Sequence, residues 1–210
     1  DSSGTSIDIA SSDSTLSGSR TITSSSDFSG TYGKQRAFDN VTGTRNSWLS
    51  ASGTYSSGTY NGSESTEGYS GEWVQVDVGT NVILKSYEIY PRNRKDHNNA
   101  EKMRLFSSTN GTSWTQVHDW TGLTLADDWK SSGYTSVGPY TTNTYGRYFR
   151  LAVNKLIGNG GHAQIGEIKL LGYAVIADSL SSDAGLFEIT YTNPGIQGRN
   201  LVDLAGNVVE

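Results

Sequence analysis

Tyr145-Gly146-Arg147-Tyr148-Phe149-Arg150-Leu151 and Ile165-Gly166-Glu167-Ile168-Lys169-Leu170-Leu171-Gly172-Tyr173 are the two stretches whose reading decides the fold. In the first, Phe149, Leu151 and Val153 fall on one face and Tyr148 and Arg150 on the other, the period of two of a half-buried strand. A polar, Gly- and Asn-rich loop over 154–162 follows. The second stretch is again a strand, but it carries one carboxylate, Glu167, among aliphatic residues. A carboxylate buried without a partner is costly. Glu167 is therefore expected at a sheet rim or holding something.

Working outward, strands crowd the middle of the chain. Val74, Val76 and Val78 share a face in residues 72–78, and Gly79-Thr80-Asn81 reads as a turn into a strand over 82–90 that ends at Pro91. Asn110-Gly111 between strands over 102–107 and 113–118 is a strong hairpin signal. No segment keeps a helical period. The fold class is all-β, an antiparallel β-sandwich or jelly roll. Residues 50–71 read as one long polar loop carrying Tyr55, Tyr60 and Tyr69, of a length that is often functional. The Ser/Thr-rich residues 1–26 read as an arm or linker, with a short edge strand at Ile7 and Ile9 as the alternative. Residues 27–173 form the sandwich. Residues 174–210 are expected to be a C-terminal arm or the start of a further domain.

Composition narrows the function classes. The formal net charge of −5 disfavours a nucleic-acid partner, whose phosphates require a basic face. The absence of cysteine removes disulfides, thiol catalysis and Cys-ligated zinc together. No apolar run approaches the length of a membrane span, and no signal peptide is visible. The chain starts at Asp1, as expected of a processed product or fragment. Low Lys with abundant Ser, Thr, Gly, Asn and Tyr leans towards an extracellular or particle surface. His97, His118 and His162 lack a metal-binding spacing, and no nucleophile elbow or phosphate loop is present, so an enzyme is not expected.

Four motifs in order resemble the discoidin, or coagulation factor 5/8 type C, family and its galactose-type carbohydrate-binding branch. They are Ala37-Phe38-Asp39-Asn40-Val41-Thr42-Gly43-Thr44-Arg45 with Trp48; Glu72-Trp73-Val74-Gln75-Val76-Asp77-Val78-Gly79; Phe106 through Trp114 around Asn110-Gly111; and the closing pair quoted at the outset. Asn40 stands where the family usually has Gly, Asn46 and Ser47 look inserted before Trp48, and the paired cysteines of the animal versions are absent.

The resemblance implies a structural Ca²⁺ between the first loop and the last strand, with Asp39 and Glu167 giving carboxylates, Thr44 a hydroxyl, and loop carbonyls the rest. Such an oxygen set suits a hard cation. It also implies a glycan ligand bound by loops at one end of the sandwich. Sugar recognition pairs an aromatic platform with polar donors. The candidates are Tyr90, Arg92, Arg94, His97 and Asn98 from the loop near 90–99, with Asn159 and His162 from the loop over 154–162. Tyr55, Tyr60 and Tyr69 are candidate platforms, whereas Trp48, Trp73 and Trp114 match core positions. The first expectation is a non-catalytic, lectin-like module stabilised by calcium. The alternative is an attachment domain of a virus or phage particle, docking on neighbouring subunits through residues 1–26 and 174–210.

Overall fold

The computed structural model describes residues 6–10, 19–43, 45–92, 98–125, 128–129 and 136–175, together with four strand backbones beyond residue 181. Two long strands organise it, β8 (Glu72–Tyr90) and β11 (Val137–Leu156). They run antiparallel and pair along most of their length, from Val153 opposite Glu72 to Val137 opposite Ile89. Each belongs to both layers of a sandwich. In one layer β2 (Thr21–Ser24) lies beside the first part of β8, and the last part of β11 continues to β9 (Ala100–Ser108) and β10 (Thr115–Thr121). In the other, β13 (Glu167–Ala174) lies beside the second part of β8, with β1 (Ile7–Asp8) on the outer edge of β13 and the first part of β11 on the far side of β8.

Residues 79–81 are thus not a turn between two strands. Gly79 adopts φ 84°, its amide donates to Asp77 Oδ1 at 2.8 Å, and the β11 register jumps from Tyr148–Asp77 to Gly146–Val82. The chain bulges and bends here, as glycine in the left-handed region permits. A second irregularity near Ser86 explains why the buried positions switch from Val74, Val76, Val78, Val82 and Leu84 to Tyr87 and Ile89. Likewise the strand expected to start near 147 begins at Val137 and ends at Leu156, so the following loop starts later than residue 154.

The core between the layers contains Val74, Val76, Met103, Leu105, Phe149, Leu151 and Val153, with Phe149, Leu151 and Val153 on the expected face. The described part of the segment 1–26 is not a free arm: β1 and β2 are paired, and Ile9 and Ala10 are buried. The alternation at Ile7 and Ile9 was the relevant signal. Beyond the sandwich, β14 (Ser182–Asp183), β15 (Leu186–Thr190), β16 (Arg199–Val202) and β17 (Val208–Val209) pair with one another in sequence order.

Residues 50–71 are not a structureless loop. β4 (Tyr55–Ser56) pairs β5 (Thr59–Tyr60), and β6 (Ser65–Thr66) pairs β7 (Tyr69–Ser70). Ser57-Gly58 and Glu67-Gly68 have φ 48°, 75°, 46° and 77°, the backbone of two-residue hairpin turns. The β6–β7 hairpin covers the outer face of the β8–β11–β9 layer. There the Arg150 guanidinium lies between Trp73 and Trp114, 3.9 and 4.2 Å from their ring centres. It donates twice to Gln75 Oε1, at 3.0 and 2.7 Å, and once to Thr66 Oγ1 at 2.8 Å. Of the three tryptophans matched to core positions, only Trp48 is in the core; Trp73 and Trp114 are half-buried on this outer face and pack around a cation instead.

Aromatic rings from both layers meet at the flank where β10 faces β11. His118 stacks on Trp120 at 4.1 Å, Tyr140 meets His118 edge-on at 4.5 Å, and Tyr87 Oη lies 2.5 Å from His118 Nδ1. Burial holds the His118 pKa below its usual 6.5, against the opposing pull of Asp119. The folded state therefore binds fewer protons here than the unfolded chain. The stabilisation is present above about pH 6.5 and is lost as pH falls through the lower folded value. In thermal melts, wild type should lose stability relative to His118→Phe between about pH 7.5 and about pH 5; an unchanged difference would show that His118 does not titrate in this way.

Candidate functional site

The acid of the last strand sits where two elements converge. The Gly166 amide donates to the Tyr90 carbonyl at 2.9 Å, and a Cβ at 166 would collide with the Pro91 carbonyl oxygen. Only glycine lets β13 start this close to β8. Glu167 then pairs with Tyr90 and is 0% exposed. Its Oε2 accepts the Asp39 and Asn40 amides at 3.2 and 3.1 Å, whereas Oε1 is buried with no hydrogen-bond partner. Burial, and next the charge of Asp39, push its pKa up to about 8.

Asp39 lies opposite, at the end of two short 3₁₀ turns, Gly30–Tyr32 and Lys34–Ala37. Its Oδ1 accepts the Val41 amide at 3.1 Å and its Oδ2 pairs with Arg36 at 3.2 Å. Asn40 has φ 60° and Gly43 φ 71°; the left-handed backbone accounts for Asn where the family has Gly, since Asn tolerates that region best after Gly. Arg20 donates to the Phe38 carbonyl at 3.0 Å and also to that of Ala10. Thr44 lies outside the described residues. Among the described residues no group of three or more His, Asp or Glu side chains converges. A cation here would draw on Asp39, Glu167 and backbone or hydroxyl oxygens. The orphaned, buried Glu167 Oε1 fits that oxygen chemistry.

Beside this loop the structure assembles a second group. Arg92, 6% exposed, donates from Nε to the Arg45 carbonyl at 3.0 Å and lies 4.9 Å from the Tyr32 ring centre. Asn98 Nδ2 is 3.3 Å from His162 Nε2. Phe28, 46% exposed, packs its ring 5.5 Å from His162 and 6.3 Å from Tyr32. Backbone bonds fix these loops: Phe28 N–H to the Leu49 carbonyl, Gly53 N–H to Gly161 and Ile157 N–H to Asn99. The short strands β3 (Trp48–Leu49) and β12 (Gln164–Ile165) pair immediately beside them.

The structure thus brings Arg92, Asn98 and His162 into one neighbourhood. Asn159 is exposed on the 157–163 loop. Tyr90 turns to Glu88, to which its hydroxyl donates, and to Lys169, 5.3 Å from its ring centre. Burial, and then Glu88, raise the Tyr90 pKa to about 12. Arg94 and His97 lie outside the described residues.

The platform tyrosines are corrected. Tyr55 is buried and donates to the Val153 carbonyl at 2.6 Å. Tyr60 accepts the Glu64 amide at 2.8 Å and packs against Tyr55. Tyr69 packs under Arg104, 4.2 Å from its ring centre. All three are held by hairpins. The aromatic ring against His162 is Phe28, with Tyr32 packed on Phe28 in turn; sequence reasoning missed both. Their only signal was two aromatics in an otherwise Ser-, Gly- and Thr-rich stretch.

Known structures share the fold. The chain superposes on the family 32 carbohydrate-binding module of Clostridium perfringens NanJ, solved in complex with galactose, with TM-score 0.53 and 17% identity over 80% of this chain and 98% of that one. Another family 32 module, from a family 31 glycoside hydrolase of the same organism, gives TM-score 0.55 and 16% identity over 82% and 97%. A chitosan-binding module from a Paenibacillus chitosanase/glucanase gives 0.52 and 18% over 78% and 98%. At such identity the likeness establishes the β-sandwich alone. No curated protein sequence matches the chain. The sequence model of the F5/8 type C domain matches residues 21–168, a span that starts with β2 and contains the acid, the polar cluster and both long strands. The chain belongs to the F5/8 type C domain family.

Proposed function

We propose that this chain is a non-catalytic module that binds galactose-type glycans through Phe28, Tyr32, Arg92, Asn98 and His162, with a calcium ion held by Asp39, Glu167 and Thr44 supporting the adjacent loop. The carrying observation is the exposed Phe28 ring packed against His162 beside Asn98. An apolar ring next to amide, imidazole and guanidinium groups matches the two sides of a sugar, its C–H face and its hydroxyls. The galactose complex of the NanJ module supports the choice of ligand class. Asn159, exposed on the 157–163 loop, is a further candidate for contact, and Arg94 and His97 stay candidates by residue type alone. An extracellular or particle-surface location fits this reading; among the described residues no helix is long and apolar enough to cross a membrane.

A glycan array followed by galactose titration tests the proposal, and a blank array at high protein concentration would sink it. Phe28→Ala should weaken binding roughly 10-fold, about 1.4 kcal/mol. Because nearly half of the residue is exposed and it lies outside the core, folding stability should move by less than about 1 kcal/mol. Equal affinity in the variant would remove Phe28 from the site. The particle-attachment alternative relied on residues 1–26 and 174–210 as docking arms; in the first of these, β1 and β2 pair within the sandwich.

A further inference from the structure

We propose that Arg92 couples the calcium loop to the sugar cluster, so that cation binding raises affinity for galactose-type glycans and sugar binding raises affinity for calcium. This rests on the glycan and calcium readings above. The loop from Asp39 to Arg45 is pinned at both ends. At the first, Glu167 accepts the Asp39 and Asn40 amides. At the second, the Arg45 carbonyl accepts from Arg92 Nε at 3.0 Å.

Arg92 is almost fully buried and its guanidinium faces Tyr32, so its orientation depends on that main-chain acceptor and that ring. A buried charged donor that loses its acceptor is penalised by far more than the bond is worth when formed. A loop conformation that moves the Arg45 carbonyl therefore turns the guanidinium out of the sugar cluster or leaves it unsatisfied. The same strand pair roots both ends, since Glu167 pairs with Tyr90, two residues before Arg92. Phe28 and Tyr32 are joined to Asp39 through the two short 3₁₀ turns. The loop geometry that holds Asp39 against Glu167 is thus the geometry that aims Arg92. Two ligands that favour one state of a shared element must help each other equally.

The test is calorimetric titration of the full chain with D-galactose in calcium chloride and in EDTA, with reciprocal calcium titrations in the presence and absence of galactose. Galactose should bind at least about 5-fold more weakly in EDTA, and galactose should tighten calcium by the same factor. Arg92→Lys keeps the charge but not the fixed Nε donor. Its galactose affinity, weaker than that of wild type, should then be the same in calcium and in EDTA; a variant whose affinity still falls about 5-fold in EDTA would remove Arg92 from the coupling. Equal galactose affinity in both buffers, with calcium still bound, overturns the coupling and leaves the glycan reading standing. No galactose binding in either buffer overturns both. If EDTA unfolds the chain, the calcium titrations decide, and equal calcium affinity with and without galactose overturns the coupling.

Discussion

Saturating calcium is expected to raise the melting temperature by roughly 5–10 °C, and Glu167→Gln to abolish that rise. The size follows from mass action: a ligand at about 100 times its Kd adds about 2.7 kcal/mol, and each kcal/mol is worth about 2–4 °C in a chain of this length. The cause is local. Glu167 is fully buried with one oxygen unpartnered, and burial beside Asp39 lifts its pKa to about 8. Without a cation, ionisation at this position is opposed by desolvation and by a like charge; a dication reverses both effects. The variant should accordingly behave in two opposite ways. In EDTA at about pH 8 it should match or exceed wild-type stability, because a neutral amide replaces a carboxylate whose charge is disfavoured there. In calcium it should fall behind. Melts by calorimetry in the two buffers check this, and an equal calcium-induced rise in both proteins would exclude Glu167 as a ligand.

Arg150→Lys should cost roughly 3 kcal/mol, or about 6–12 °C, although it conserves charge. Arg150 donates three hydrogen bonds to Gln75 and Thr66 and stacks between Trp73 and Trp114. Charge-assisted bonds contribute about 1.5–3 kcal/mol each and cation–π contacts about 0.5–2, partly offset by the desolvation that lowers the Arg150 pKa to about 10. An ammonium cannot reach both acceptors from between two rings, because it lacks the planar fork. Trp73 Nε1 also donates to Glu64 at 3.0 Å, and the Trp114 amide to Glu67 at 3.0 Å, so the β6–β7 hairpin should loosen with the stack. Denaturant unfolding measures the loss. A change under about 1 kcal/mol would mean that the stack merely fills space.

The scaffold was readable because its strands keep a period of two between their bulges and its β9–β10 hairpin carries Asn-Gly. Even the misread pieces were signalled. Ser57-Gly58 and Glu67-Gly68 are hairpin turns without the Asn-Gly or Asp-Gly wording, hidden by Ser-rich flanks. Gly79 looked like a turn because a bulge and a turn draw on the same positive φ. The acid was conspicuous as the lone carboxylate in an aliphatic strand. The aromatic side of the proposed sugar cluster was not, because Phe28, with Tyr32 packed on it, meets His162 through loop packing across more than a hundred residues of chain, a proximity that no local period encodes. Arg92 and His162 could be selected by residue type, but their neighbours could not.

The two long strands have a consequence for how the molecule comes apart. Because β8 and β11 each run through both layers, releasing either strand removes ladder hydrogen bonds from both layers at once. Melting is then all-or-none across the sandwich, while the loops beyond the strand ends can open on their own at lower free energy. Such a division lets the loop end be reshaped by sequence change without endangering the body that carries it.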